Sequence, residues 1–501
     1  MASGSPTAGA AALPLPPRAG PIVDADGHVV EPESAWAGLP EPYRVRIRAD
    51  GHGYEHVTVG DTEILAVPLG NLARPGSTFH DPATFRPLSD AQPGGSDPVA
   101  RLADMDAEGI DQSVLYPSIG LYMSVLDDPV AAVAVAGAYN EWLAGYCAVS
   151  PRRLFGTAML PLQDPVAAAR ELRRAVSELG FVGAFVRPNP YLGRSLSDRA
   201  YDPVWDAAEE LRVPIGVHEG SSVIVPTLGS DRPFNPLLLH AVSHSFEEML
   251  ACAQLIAFGV LERHPALRVV FLESSGGWGP FWLERLDEQA QSFGGFCPDM
   301  KLRPSEYFAR QCAISFEVDE RTLPALAPFL GAERIVWGSD YPHHDATFPG
   351  AVDAIRSTVA PCSTAVQARV LGLNAREIYG LPAREEGPAG VVADYFAAVT
   401  AQDADMLRTL FAPDAVFDVD GERRTGHEDI LGYYTERTFT YRDFRPDPGP
   451  LTVDGSSVTV DIDVHIGGAD SSVRDVFEID DRHIVALRVR GFADALRAVR
   501  A

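Results

Sequence analysis

The spacing of apolar and polar residues divides the chain into three stretches. Residues 1–20 are rich in Ala, Pro and Gly without a period; with no basic start and no long apolar core, they read as a flexible tail rather than a signal peptide. From residue 21 to 382, short apolar runs recur at regular intervals: Ile22–Val30, Ser113–Tyr116, Leu154–Leu160, Phe181–Val186, Pro214–Val217, Arg268–Leu272, Cys312–Phe316 and Ile335–Trp337. Helical stripes lie between most of them, such as Val166, Ala169, Leu172, Val176 and Leu179, or the segment Glu247–Arg263. Asp97-Pro98 opens another helix, with Leu102 and Met105 on its apolar face. Eight strands alternating with helices predict an α/β fold, a (β/α)8 TIM barrel. A doubly wound open sheet is the alternative, but no glycine-rich phosphate loop follows the first strand.

Two stretches break the alternation. Residues 32–97 lack a helical period; Tyr43–Ile47 and His56–Val59 alternate around the turn signal Ala49-Asp50-Gly51, which predicts a small β insertion placed to cover the mouth of a site. Residues 388–501 begin with helical faces (Val391, Val392, Tyr395, Phe396, then Leu407, Leu410, Phe411) and continue as alternating strands over Val416–Val419, Val458–Val464, Ser472–Ile479 and His483–Val489. Helices first and a curved antiparallel sheet later describe a second, α+β domain.

Composition narrows the classes of partner. The formal charge of −28 repels nucleic acid and anionic lipid. No apolar run approaches the ~20 residues of a membrane helix. The five cysteines are scattered with no C-x-x-C pair, which argues for reduced thiols, a cytoplasmic location, and neither a disulfide frame nor a thiolate zinc site. The expected partners are a small-molecule substrate and further copies of the chain, as a homodimer or higher homo-oligomer.

The candidate chemistry sits where the apolar runs end. In a (β/α)8 barrel the site lies at the C-terminal ends of the strands. The first strand carries Asp26 and His28, which are two residues apart and so share a side. The fifth ends in His218 and Glu219, the sixth in Glu273 followed by Ser274-Ser275-Gly276-Gly277, and the eighth in Gly338-Ser339-Asp340-Tyr341-Pro342-His343-His344-Asp345. Taken alone, Asp340 is also readable as a helix N-cap. A single strand-end histidine is usually a hydrogen-bonded structural residue, but four strand ends that carry Asp, His, His, Glu and Asp point to a mixed imidazole–carboxylate metal site. Such a donor set suits zinc, manganese or iron, with positions left open for water or substrate.

Asp26-Gly27-His28, His218, the run Leu261–Arg268 and Gly338-Ser339-Asp340-Tyr341-Pro342 resemble the amidohydrolase superfamily, over roughly residues 22–380. They are most similar to the amidohydrolase-related branch that includes aminocarboxymuconate-semialdehyde and resorcylate decarboxylases. The resemblance implies one divalent metal, zinc with manganese as the alternative, held by Asp26, His28, His218 and Asp340. It also implies decarboxylation or metal-water hydrolysis of a small carboxylated or cyclic organic acid. Two departures stand out: Asp26 replaces the first histidine of a His-x-His pair, and Glu273 stands where the decarboxylases carry a catalytic histidine. A carboxylate lacks the cationic donor of an imidazolium, but can serve as a base, as an acid of raised pKa or as a further ligand. Asp340 and Glu273 are the expected proton-transfer groups. His244, in a Gly220–Ser245 loop that would act as a lid, is a third candidate; it lies four residues after His240, a spacing that fits a shared helix face, with an ordinary surface pair as the alternative. Arg187, Asn189 and His343 are the candidates for substrate contact, Arg187 through its planar fork, with a surface salt bridge as the alternative for Arg187 and orientation of Asp340 as the alternative for His343.

The segments Gly390–Val399, Asp403–Leu407, Leu410–Phe417 and Gly426–Ile430 resemble the SnoaL-like, nuclear transport factor 2-like fold, a cone-shaped α+β domain. Fold alone does not fix its function. Asp463 and His465 share a strand face and are candidates to line its cavity, with a solvated sheet face as the alternative. The expected roles are dimerisation or capping of the substrate. The alternatives for the whole chain are a bifunctional enzyme whose second domain performs a cyclase or isomerase step, and an inactive barrel used for binding.

Overall fold

The computed structural model describes residues 20–221, 224–232, 235–384, 387–480, 482–493 and 499. The expected tail, apart from Gly20, lies outside them. β1 (Val23–Val29) is followed by the insertion strands β2 (Val45–Ala49), β3 (Glu55–Val59) and β4 (Thr62–Val67). The alternating region then supplies β5 (Gln112–Pro117), β6 (Leu154–Met159), β7 (Gly183–Val186), β8 (Pro214–His218), β9 (Arg268–Leu272), β10 (Cys312–Glu317) and β11 (Ile335–Gly338). β1 and β5–β11 form an eight-stranded parallel sheet in sequence order, the (β/α)8 arrangement. Almost every residue of these strands is buried, because helices cover one face and the filled interior the other. The helices Pro98–Glu108, Pro129–Cys147 and Pro165–Ser177 all begin with Asp-Pro. In each, the aspartate accepts a backbone N–H of the first turn, and proline occupies a position whose N–H would have had no partner.

The first and last strands meet through the residues that carry the site. Asp340 N–H donates to Asp26 O (3.0 Å), and His28 N–H donates to Tyr341 O (2.7 Å). Ser339 donates its N–H (3.0 Å) and hydroxyl (2.8 Å) to the Asp24 carboxylate. Arg101, wholly buried on the Pro98–Glu108 helix, donates to His28 O (2.9 Å) and Ser113 Oγ (3.0 Å) and lies 3.7 Å from Asp24. The approach is so close that a Cβ on Gly338 would lie 2.4 Å from the Asp26 Cβ, so only glycine fits there.

The insertion is a three-stranded antiparallel sheet, β2–β3–β4. Its third strand escapes an alternation-based reading because Ile64 and Leu65 are adjacent and both buried. The chain beyond this sheet reaches the barrel mouth: Gly76 N–H donates to His344 O (2.7 Å), and the Phe79 ring meets the His344 ring edge-on at 4.8 Å.

The C-terminal region opens with the helices Gly387–Thr400 and Ala404–Leu410. It continues with β12 (Phe411–Val419), β13 (Glu422–Thr425), β14 (Arg445–Pro448), β15 (Thr452–Asp454), β16 (Ser457–Ile466), β17 (Ala469–Asp480) and β18 (His483–Arg490). These strands make one sheet, ordered β13-β12-β18-β17-β16-β14 with β15 beside β16, around a core separate from the barrel's. This core packs against the end of the barrel where strands begin. Gly20, Pro21, Asp111 and Gln112 face Phe396, Ala397 and Pro446 across a shared cleft. Arg376 is paired with Asp394 at 2.6 Å, Arg369 is paired with Asp403, and Ala368, Leu373, Ala397 and Ala401 form a small apolar contact. The expectation that this domain caps the substrate of its own barrel is therefore corrected: it sits at the end opposite the strand termini that carry Asp26, His218 and Asp340. Among the described residues, no helix is long and apolar enough to cross a membrane.

Candidate metal centre and active site

Asp26, His28, His218 and Asp340, read from three separate stretches of sequence, converge at the C-terminal end of the barrel. His218 Nε2 lies 3.2 Å from Asp26 Oδ1 and 3.2 Å from His28 Nε2. His28 Nε2 lies 3.6 Å from Asp26 Oδ1 and 3.4 Å from Asp340 Oδ1. All four side chains are buried. His28 Nδ1 faces Pro117 O at 2.8 Å, and His218 Nδ1 faces Glu219 O at 2.6 Å. With each Nδ1–H given to a carbonyl, each Nε2 presents a lone pair to the other and to Asp26. Acceptors that face acceptors at about 3 Å repel unless a cation lies among them, so this donor set fits a divalent ion. Burial pushes the Asp26 carboxyl up, but His218 and His28 outweigh it and hold Asp26 well below the ordinary range.

Glu273 completes the ring, with Oε2 3.5 Å from His218 Nε2 and Oε1 3.4 Å from His244 Nε2. His244 comes from a helix, which replaces the last part of the expected Gly220–Ser245 loop and gives His240 and His244 the shared helix face that their spacing suggests; residues 222–223 and 233–234 of that loop lie outside the described residues. The chain is helical from Pro236 to Ala257, where Asn235 caps Leu238 N–H and Pro236 stands at the first position. His240 and His244 are one turn apart on this helix, and their rings stack at 4.3 Å. Burial alone would push the His244 imidazole down, but the Glu273 carboxylate raises it to about 9. Glu273 in turn is held below its ordinary value: His244, His218 and His343 together outweigh the upward push of burial. The backbones of Glu273 (φ 46°) and Asp340 (φ 54°) are both left-handed, a conformation that non-glycine residues adopt at a cost and that recurs at functional sites.

His343 is buried with Nδ1 2.6 Å from Asp340 Oδ1 and Nε2 2.9 Å from Ser118 Oγ. Ser118 donates its hydroxyl to Val29 O (2.7 Å), so His343 gives Nε2–H to Ser118 and turns the Nδ1 lone pair to Asp340. One proton is then shared between His343 and Asp340. Burial holds the His343 imidazole down to about 3. The loop that carries Ser118 is fixed by Glu31, a residue sequence reasoning passed over. Its buried carboxylate accepts the N–H groups of Ser118 (3.1 Å), Ile119 (2.9 Å) and Gly120 (2.9 Å). Its position after the first apolar run, as Glu31-Pro32, was the available signal. Glu317, directly after the seventh run, was also passed over; it lines the same mouth, and burial, then the Glu273 charge, push it up to about 8.

Residues 392–487 match the SnoaL-like domain and residues 23–381 match the Amidohydrolase family. The chain belongs to the amidohydrolase family. This amidohydrolase is 30% identical over 294 residues to the gamma-resorcylate decarboxylase of Rhizobium radiobacter, covering 57% of this chain and 87% of that one. It is 27% identical over 287 residues to the 2-amino-3-carboxymuconate-6-semialdehyde decarboxylase of Dictyostelium discoideum, covering 57% and 77%. A crystal structure of an amidohydrolase from Mycobacterium avium subsp. paratuberculosis K-10 superposes with a TM-score of 0.62 at 25% identity, covering 72% of this chain and 99% of that one.

Arg187 and Asn189 depart from the reading of the sequence. Arg187 is wholly buried, and its guanidinium is committed to Glu219 (2.7 Å), Gly220 O (2.8 Å), Leu121 O (3.3 Å) and Asn189 Oδ1 (3.1 Å). The fork expected to meet a substrate carboxylate braces the wall of the barrel instead, and Asn189 orients it while donating to Pro226 O (3.3 Å). In the second domain, Asp463 and His465 lie on the outer, solvated face of β16, with His465 paired to Asp470 at 2.7 Å. The acid that does line the cone is Asp475. It is buried among Tyr395, Phe396, Phe417, Tyr434 and Phe492, with Oδ1 lacking a hydrogen-bond partner, and burial pushes it up to about 8.

Proposed function

We propose that this amidohydrolase is a carboxy-lyase that decarboxylates a small aromatic or cyclic carboxylic acid, with Asp26, His28, His218 and Asp340 holding one divalent ion, zinc or manganese. The observation that carries this reading is the His244–Glu273 pair. Glu273 occupies the strand end where a histidine is expected, and the helix returns an imidazole to it from another part of the chain. Decarboxylation without an oxidant needs a proton for the carbon that loses its carboxylate. His244, kept cationic by Glu273 to about pH 9, is the donor of that proton. The bound ion would polarise a substrate oxygen and fix the carboxylate's orientation. His244 then gives its proton to the ring carbon that bears the carboxylate; the carbon–carbon bond breaks, its electron pair returns to the ring, and carbon dioxide leaves. Solvent at the open mouth, a cavity of about 290 Å³, returns a proton to His244. His343 and Ser118 hold Asp340 in place throughout.

The test is a reaction in D₂O with gamma-resorcylate and related hydroxybenzoates. Carbon dioxide release, one deuterium at the former carboxylate carbon and no solvent oxygen in the product support the lyase. Uptake of solvent oxygen with no carbon dioxide sinks it in favour of metal-water hydrolysis.

A further inference from the structure

A second group of metal-type ligands stands at the rim of the mouth, on the solvent side of the His244–Glu273 pair. His240 comes from the Pro236–Ala257 helix, and His344 and Asp345 come from the turn after β11. His240 Nε2 lies 3.2 Å from Asp345 Oδ2, and His344 Nε2 lies 3.6 Å from Asp345 Oδ1. One ligand atom from each of the three residues falls within 4.8 Å of the others. Two atoms each about 2.1 Å from one ion at a tetrahedral angle are about 3.4 Å apart, so the group needs little movement to close on a cation. The ligands are also held. The His344 backbone is tied to Gly76 N–H at 2.7 Å, its ring abuts Phe79, and the His240 ring stacks on His244. An ordinary ion pair uses one imidazole for one carboxylate; here two imidazoles flank the same carboxylate and one side is open to solvent. That is the pattern of a two-histidine, one-carboxylate site with positions left for exogenous ligands.

The charge around the mouth supplies an independent reason for a cation. Its lining includes Glu273, Glu317, Asp319, Asp340 and Asp345 but no lysine or arginine among the described residues, and Arg187 is turned into the wall. Glu273 is answered by His244 and burial favours the acid form of Glu317, so at the rim an incoming organic carboxylate meets the side chains of Asp319 and Asp345 and no lysine or arginine. We propose that His240, His344 and Asp345 bind a second divalent cation of the zinc class, separate from the ion of the barrel centre. There it receives the carboxylate of the incoming substrate, a role that rests on the decarboxylase reading, although the binding itself does not.

The experiment is a zinc(II) titration of the full-length chain, stripped of metal, with a chromophoric chelator as competitor and with bound metal counted by elemental analysis. The wild type is expected to take up about two zinc ions per chain. The double variant His240→Ala/Asp345→Ala, and independently His344→Ser, should each take up about one, with unchanged circular dichroism and melting temperature. His218→Ala should lose the other ion and keep the rim ion. Wild type that saturates at about one ion, with the rim variants unaffected, overturns the site. So does retention of about two ions by the rim variants. The decarboxylase reading fails separately, by absence of carbon dioxide release, and leaves this count untouched.

Discussion

The two interiors of this chain handle buried charge in opposite ways. At the barrel mouth the candidate site residues answer one another: Asp26 faces His218 and His28, Glu273 faces His244, and Asp340 faces His343, while Glu317 beside them is pushed up by burial. In the cone a single carboxyl, Asp475, is set among aromatic rings, and one of its oxygens has no partner. The Glu273–His244 pair favours the charged form of both partners, and the Asp340–His343 pair shares one proton. A lone buried acid is driven to its neutral form and costs stability whenever it ionises. The difference separates a mouth whose groups can exchange protons from a cone whose polar residue weakens its own fold. The two also lie at opposite ends of the barrel, so they can be perturbed independently.

The largest effect should come from removing a proposed ligand of the barrel centre. Asp340→Ala or His28→Ala is expected to lose the bound metal and to lower kcat by roughly 10⁴-fold or more, while the cone's unfolding transition is unchanged. Retained activity in a metal-free variant would place the chemistry elsewhere. Next is His244→Asn, expected to keep the metal and lower kcat by about 10²–10⁴-fold. In its companion, Glu273→Gln, the imidazole loses the carboxylate that raises it. His244 must be protonated to act, so activity falls as pH rises through its pKa. The alkaline limb of kcat/KM, expected near 9 in the wild type, should move to lower pH in Glu273→Gln. A limb that does not move would break the assignment of His244 as the donor.

Gly338→Ala tests the seam. A Cβ there meets the Asp26 Cβ at 2.4 Å, so the barrel's melting temperature should drop by roughly 5 °C or more, again without effect on the cone. The effect of opposite sign belongs to Asp475→Asn. The folded carboxyl is raised to about 8, so its contribution is fully present below the unfolded value near 4 and is lost as pH rises toward 8. The wild-type cone should therefore lose up to about 1.4 kcal/mol per pH unit across that window. Asp475→Asn should flatten this slope and raise stability at pH 8.5, with barrel kinetics unchanged. A slope that persists in the variant would assign it to another group.

How much of this was legible beforehand depended on whether the signal was local. The alternation of apolar runs and helical stripes is a local property of each segment, and it was enough to give eight strands, their order and the strand ends that carry Asp26, His28, His218, Glu273 and Asp340. The alternation of Val458, Val460, Ile462 and Val464 likewise placed β16 in a half-buried sheet. The presence of charged residues on one face leaves open which face is inside, so the pattern admits Asp463 to the cavity that Asp475 occupies.

The sequence by itself determined the elements and the donor types, because side-chain spacing along a helix or strand follows from backbone geometry alone. Only the tertiary structure decided the partners. His244 meets Glu273 across 29 positions of chain, Arg187 turns to Glu219 rather than to a substrate, and the C-terminal cone docks at the end of the barrel away from the site. Each of these is a through-space pairing of groups that must lose water together. The energy of such a pairing depends on distances that no local pattern encodes.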